Sequence, residues 1–152
     1  MVHWMSNGIS YKEYLSTHSS LTYTNVGTSM MPLLRQGRDL FTVVPKGDER
    51  CKVGDVVLYH RPPKSYVLHR VVEVLPDGYI ILGDNCVNRE HVSEEDVFGV
   101  MTSFVRNGKE HDINETSYRL YSRTMLVTER PRVAARKLCA KAWHTLKGAR
   151  RD

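Results

Sequence analysis

The sequence predicts a mainly β fold: a partly closed antiparallel β domain with a short N-terminal helix and a basic C-terminal helix. Two observations carry that expectation. Between Leu21 and Met101 the chain is a series of strand-length runs rich in β-branched and apolar residues, each bounded by turn-forming residues. The runs do not alternate with helical patterns as βαβ units would, and helical spacing is confined to the two ends. A length of 152 residues suits one domain with a short appendage. An apolar share of 41% is enough for a packed core.

Taken in order, Ser10 is placed to cap a helix over about residues 8–16, with Tyr11, Tyr14 and Leu15 on one face. The strand runs are DLFTVVP (39–45), DVVLYHR (55–61), YVLHRVVEVL (66–75), YIILG (79–83) and VFGVMTSFVRNG (97–108). Turn chemistry separates them at Lys46-Gly47-Asp48, Pro62-Pro63, Pro76-Asp77-Gly78 and Asn107-Gly108, and the Asp77-Gly78 pair is a strong hairpin signal. Strands at this spacing indicate an antiparallel, partly closed domain. After about Asn114 the texture turns helical. Pro131 suits a first helical position, Gly148 suits a stop, and Ala135, Leu138, Cys139, Ala142 and Leu146 fall at helical spacing, with Trp143 flanking. The expected divisions are an N-terminal extension (1–24), a β domain (25–112) and a basic helical appendage (113–152).

The net charge of +5 is mostly a property of the last segment, where Arg130, Arg132, Arg136, Lys137, Lys141, Lys147, Arg150 and Arg151 face only Glu129 and Asp152. That helix suits two roles: packing on the body with a solvated outer face, or lying on an anionic membrane surface, directly or through a membrane partner. Nucleic acid is not the expected partner, because stacking aromatics are not interleaved with the basic residues. Cys51, Cys86 and Cys139 are an odd number at wide spacing, which reads as reduced thiols rather than a disulfide framework or a zinc pattern. The scattered histidines give no metal constellation, and no cofactor is expected. The first twenty residues lack a signal-peptide core and no stretch approaches the ~20 apolar residues of a spanning helix. The expected location is the cytoplasm, free or peripheral to a membrane.

Four short boxes and two strand entries stand out. Gly27-Thr28-Ser29-Met30-Met31-Pro32 resembles the Ser-Met-x-Pro box that holds the nucleophile in type I signal peptidases. Leu68-His69-Arg70-Val71-Val72 is similar to the His-Arg-Val box of the endoplasmic-reticulum and archaeal branch, where His replaces the bacterial Lys. Leu82-Gly83-Asp84-Asn85 looks like the Gly-Asp-Asn box, and Val97-Phe98-Gly99-Val100 like the closing Val-x-Gly-x strand. Gly37-Arg38-Asp39-Leu40 and Val53-Gly54-Asp55-Val56-Val57 match the family's strand entries. The resemblance covers about residues 25–105, in order. It implies a serine endopeptidase acting on an extended peptide of the leader or signal type, with small residues before the scissile bond.

The chemistry of the residues agrees. A serine hydroxyl needs a base to become a nucleophile, and a neutral histidine can take its proton and return it to the leaving amine. Ser29 and His69 are the expected pair. Glu90 and Asp84 compete to orient the ring, with Glu90 favoured because it lies where the histidine branch places its triad aspartate. Glu90 would raise the His69 pKa and burial would lower it, an expectation of roughly 6 to 8. Gly27, Thr28, Met30 and Arg70 are the expected oxyanion and substrate contacts. Gly27 stands where relatives often carry a serine, so only backbone N–H groups remain for the oxyanion. A catalytically silent peptide-binding module is the alternative from another class. A LexA-like self-cleaving repressor is disfavoured, because residues 1–26 hold neither a DNA-binding domain nor an Ala-Gly cleavage site. Cys86 is read as a small loop residue rather than a second nucleophile.

Overall fold

Each strand run in the sequence forms a strand, and three further strands complete an antiparallel sheet of eight. The computed structural model describes residues 10–63 and 65–148. Helix α1 (Tyr11–Thr17) precedes β1 (Leu21–Thr24), β2 (Leu40–Pro45), β3 (Val56–Arg61), β4 (Ser65–Leu75), β5 (Gly78–Leu82), β6 (Glu90–Ser93), β7 (Val97–Arg106) and β8 (Lys109–Asp112). Helices α2 (Thr116–Val127) and α3 (Glu129–Gly148) follow. The ladder order is β1-β2-β7-β3-β4-β5-β6, with β8 beside the C-terminal half of β7.

Both faces of the central strands are covered, because the β3–β4 alternation feeds two cores. Val56, Leu58, Tyr66 and Leu68 join the larger core with Leu33, Leu34, Phe41, Met101 and Phe104. Val57, Tyr59, Val67 and Val71 join the second with Tyr79, Ile81, Val92 and Val97. Full burial of a side chain of this size contributes roughly 1.5–3 kcal/mol. His69 lies on the second face, directly across the β3–β4 ladder from Val57.

The turns show which local signals decided the register. Arg106 pairs with Lys109, so Asn107 and Gly108 alone make the β7–β8 turn, at φ 53° and 74°. Both central residues of a type I′ turn need positive φ, which Asn and Gly accept at low cost. At the β4–β5 hairpin Leu75 pairs with Gly78, so the connecting residues are Pro76 and Asp77 rather than the expected Asp77-Gly78. Gly78 is instead a strand residue across which β6 passes closely: a Cβ there would lie 2.2 Å from the Val92 carbonyl oxygen.

Ser10 caps α1, its Oγ accepting from the Glu13 N–H at 3.1 Å, and the i, i+4 pair Tyr11 and Leu15 sinks into the larger core. The segment expected as an extension therefore supplies a core helix and a paired strand, β1. The expected appendage divides. Helix α2 buries Tyr118, Ser122 and Met125 against the body, whereas α3 is exposed from Ala134 to Trp143.

Gly78→Ala should cost about 1–3 kcal/mol, because the neighbour in the way is backbone. Gly47→Ala, with nothing within 4 Å of the added Cβ, should stay within about 0.5 kcal/mol of the parent. Urea midpoints check this; equal midpoints for the two variants would mean that β6 yields freely.

Candidate active site

The Ser29 loop is pinned at both ends by buried polar groups. Asn25 takes its N–H to the Asp39 carbonyl at 3.3 Å and its Nδ2 to the Gly27 carbonyl at 3.1 Å. Asp39, fully buried, accepts from the Arg35 and Asn107 N–H groups and from the Arg38 guanidinium. Burial alone would raise its pKa, but these donors outweigh burial and hold it at about 2. Within the loop Met30 and Leu34 enter the larger core, and the Leu34 N–H bonds the Met30 carbonyl at 3.0 Å. Ser29 is left half-buried between exposed Thr28 and buried Met30.

His69 is almost completely enclosed, and its two ring nitrogens face different chemistry. On the Nδ1 side the Tyr59 hydroxyl lies at 3.3 Å and Glu90 Oε1 at 3.6 Å. Tyr59 donates its proton to Glu90 Oε2 at 3.1 Å, so its oxygen accepts from the Arg61 guanidinium and from Nδ1–H. That network assigns the proton to Nδ1 and leaves Nε2 as the acceptor nitrogen, facing the Cys86 thiol. Arg61 forms a two-point ion pair with Glu90, through Nε at 2.8 Å and through Nη2. Burial drives the His69 pKa down to about 4; Glu90 opposes that shift and Arg61 reinforces it. The value lies below the range expected from sequence, because burial of the ring outweighs its carboxylate.

The Nε2 side opens onto the loop after β5. A Cβ added at Gly83 would lie 2.8 Å from His69 Nε2, 2.8 Å from the Ser29 carbonyl oxygen and 2.7 Å from Cys86 Sγ. All three groups thus converge on one point that only a missing side chain leaves open. The Asn85 N–H bonds the Ser29 carbonyl at 2.7 Å, tying the two loops together. Cys86 Sγ stands 4.0 Å from Nε2 and is a free thiol whose pKa burial pushes up. Among the described residues no hydrogen bond joins Ser29 Oγ to His69, and none engages the Ser29 N–H.

Asp84 and Arg70 do something else. Arg70 is 1% exposed and grips Asp84 with two parallel bonds of 2.8 Å. Its remaining Nη1 donates to the Gly54 carbonyl and to Ser122, while Tyr121 donates to Asp84 Oδ2 at 2.9 Å. Arg70 is therefore enclosed and fully committed, and its guanidinium does not face a substrate. Met30, with 0% exposure, is likewise core. The Gly27 N–H is taken by Gln36 Oε1 at 2.9 Å, so it is not free to hold an oxyanion. The structure brings Ser29, His69 and Glu90 to one place and sets Asp84 beside it in a separate network.

Sequence reasoning missed Tyr59 and Arg61. Alternation puts Tyr59 and Arg61 on one face with Val57, but only the β3–β4 register, with Val57 opposite His69, brings that face to the histidine. It also missed the clamp from α3, where Arg132 donates to the Asp84 carbonyl and Arg136 to the Asn85 carbonyl and side chain. Among the described residues no group of three or more His, Cys, Asp or Glu side chains is arranged to hold a metal. No family model matches this chain, and no curated protein matches it.

Asp84→Asn should destabilise the protein by about 3–5 kcal/mol, since it leaves the Arg70 cation buried without its counter-charge. Chemical denaturation reads this directly, and a loss under 1 kcal/mol would show that water reaches Arg70.

His69 also makes stability depend on pH. Its folded pKa of about 4 lies below the unfolded value of 6.5, so the unfolded chain binds the extra proton first. Stability is full above pH 6.5 and is lost as pH falls toward 4, by up to ~3 kcal/mol. His69→Asn should flatten this part of the melting temperature profile between those limits.

Proposed function

We propose that this chain is a serine endopeptidase with Ser29 as nucleophile, His69 as general base and Glu90, acting with Tyr59, as the group that orients the ring. The observation that carries the reading is the meeting of the Ser29 loop and His69 Nε2 at Gly83, with a carboxylate behind Nδ1. Ser29 Oγ attacks the scissile carbonyl carbon as its proton passes to Nε2. The imidazolium, stabilised by Glu90 through Tyr59, returns that proton to the leaving amine, and water repeats the cycle on the acyl-enzyme. Arg61 holds Glu90 in place through its two bonds. A base with a pKa of about 4 is neutral at pH 7 and so ready to accept, at the cost of lower basicity.

The boxes from Ser29 to Val100 support a relation to the type I signal peptidases, histidine branch, with a partly closed catalytic core of that kind. An extended leader or signal peptide pairing beside Ser29 is the substrate class this implies. The cytoplasm, or its face of a membrane, is the proposed location. A second reading rests on one distance: Cys86 Sγ, at 4.0 Å from Nε2, is close enough to serve as an alternative nucleophile. If neither attacks, the fold is a silent peptide-binding module.

Ser29→Ala should abolish cleavage of a peptide with a small residue before the scissile bond, with an unchanged melting temperature, while Cys86→Ala should keep it. The reverse pattern would move the role to Cys86, and a wild type without turnover on any such peptide would favour the binding module. For the wild type, kcat/KM should be level from pH 6 to 8 and fall as His69 protonates near 4. Glu90→Gln should lower the plateau by ~10²-fold or more and shift the acid limb to lower pH, because Glu90 is what raises the His69 pKa. An acid limb that moves upward would remove Glu90 from this role.

A further inference from the structure

The outer face of the two C-terminal helices combines exposed apolar side chains with a dense set of cations. Among the described residues, the most open large apolar side chains are Val127 (74% exposed), Leu138 (69%), Leu120 (66%) and Trp143 (61%), all on α2 and α3, with Trp143 turned away from the side that the other three share. Elsewhere the largest exposure of such a side chain is 50%, at Val53. The helices run on almost continuously, since Thr128 donates to the Thr124 carbonyl at 3.0 Å and its own carbonyl accepts from Arg132 at 2.9 Å. Leu120, Val127 and Leu138 are spaced by seven and then eleven residues, together about five turns, so they fall on one line along the axis.

Opposite that line lies the body. Tyr118, Ser122, Met125 and Glu129 are buried on the inner side, and Arg132 and Arg136 reach the Asp84–Asn85 loop. Arg119, Arg123, Arg130, Lys137 and Lys141 are exposed and fall together on one flank of the apolar line, within about a quarter-turn of it. The single acid of the two helices, Glu129, faces inward and is paired with Arg89 at 2.6 Å. An apolar ridge with a cationic band along one side matches the boundary of a bilayer, where acyl chains meet anionic headgroups. Duplex nucleic acid would use the band but leave the ridge in water. No helix among the described residues is long and apolar enough to cross a membrane, so contact with one would be along its surface.

We propose that α2 and α3 dock this protein on anionic lipid surfaces through the Leu120–Val127–Leu138 ridge and its basic flank. This does not depend on Ser29 chemistry. The test is sedimentation of the full chain with phosphatidylglycerol/phosphatidylcholine vesicles, against pure phosphatidylcholine vesicles and a DNA duplex. Binding to the anionic vesicles is expected, with at least ~10-fold weakening between about 0.1 M and 1 M salt. The variant L120N/V127N/L138N should lose about tenfold or more in affinity while keeping its melting temperature, and R123E/R130E/K137E should abolish binding. No binding to anionic vesicles, equal binding to neutral ones, or unchanged affinity after loss of the ridge overturns the proposal. So does tighter binding to DNA that survives loss of the ridge, which would reassign the face to nucleic acid.

Discussion

The buried pair of Arg70 and Asp84 is the interaction on which the rest of the site depends. Arg70 belongs to β4, immediately after His69; Asp84 belongs to the loop that meets Ser29; and the same guanidinium holds the Gly54 carbonyl and the α2 side chains Tyr118 and Ser122. One cation thus fixes a strand, two loops and a helix. Taking two charges out of water costs several kcal/mol each, and only a full set of hydrogen bonds offsets it. Here each guanidinium nitrogen is engaged, by two carboxylate oxygens, a carbonyl and two hydroxyls together, and Tyr121 adds a donor to the carboxylate. Such a pair is a poor source of stability compared with a packed apolar cluster. Its value is directional, since it allows one arrangement of those four segments.

The charges around His69 follow a different logic. The ring is buried more deeply than its carboxylate, and that carboxylate is shared with Arg61. Burial of the ring outweighs the pull of Glu90 toward the imidazolium, and Arg61 adds to burial, so the neutral ring is kept. Tyr59 sits between them as a neutral relay, and burial lifts its own pKa beyond the usual phenol range. The arrangement keeps a base that is always unprotonated near neutrality, with its lone pair directed at Gly83.

The strands were legible because each is cut by turn residues with a backbone reason to be there, and Asn107-Gly108 shows this in its two positive φ values. Strand β6, like β1 and β8, was not: Glu-His-Val-Ser has one buried apolar residue, and its backbone pairs with β5. The proximity of the Ser29 loop, His69 and Glu90 was to be expected from the boxes around Ser29 and His69 and from the place of Glu90 after the Gly-Asp-Asn box. Arg70 could not be placed correctly, since a charged residue in a strand reads as exposed until its partner from a distant loop is known. Met30 misled for the opposite reason: adjacent to Ser29, it looks like a site residue, but its side chain belongs to the core. Tyr59 and Arg61 needed the register of two strands, which hydrophobic pattern alone does not supply.

The clamp of Arg132 and Arg136 on the Asp84–Asn85 loop shapes how this chain can vary in length. Both arginines leave α3 on its inner side, and their angular position is set by an unbroken count of residues back to Tyr118 and Met125 on α2. Inserting or deleting one residue near Thr128 turns everything beyond it by about 100°. The arginines would swing off the loop carbonyls, and Leu138 would leave the line of Leu120 and Val127. Substitutions along the outer face leave the frame intact. Among sequences descended from this one, α2 and α3 should therefore drift in composition far more readily than in length.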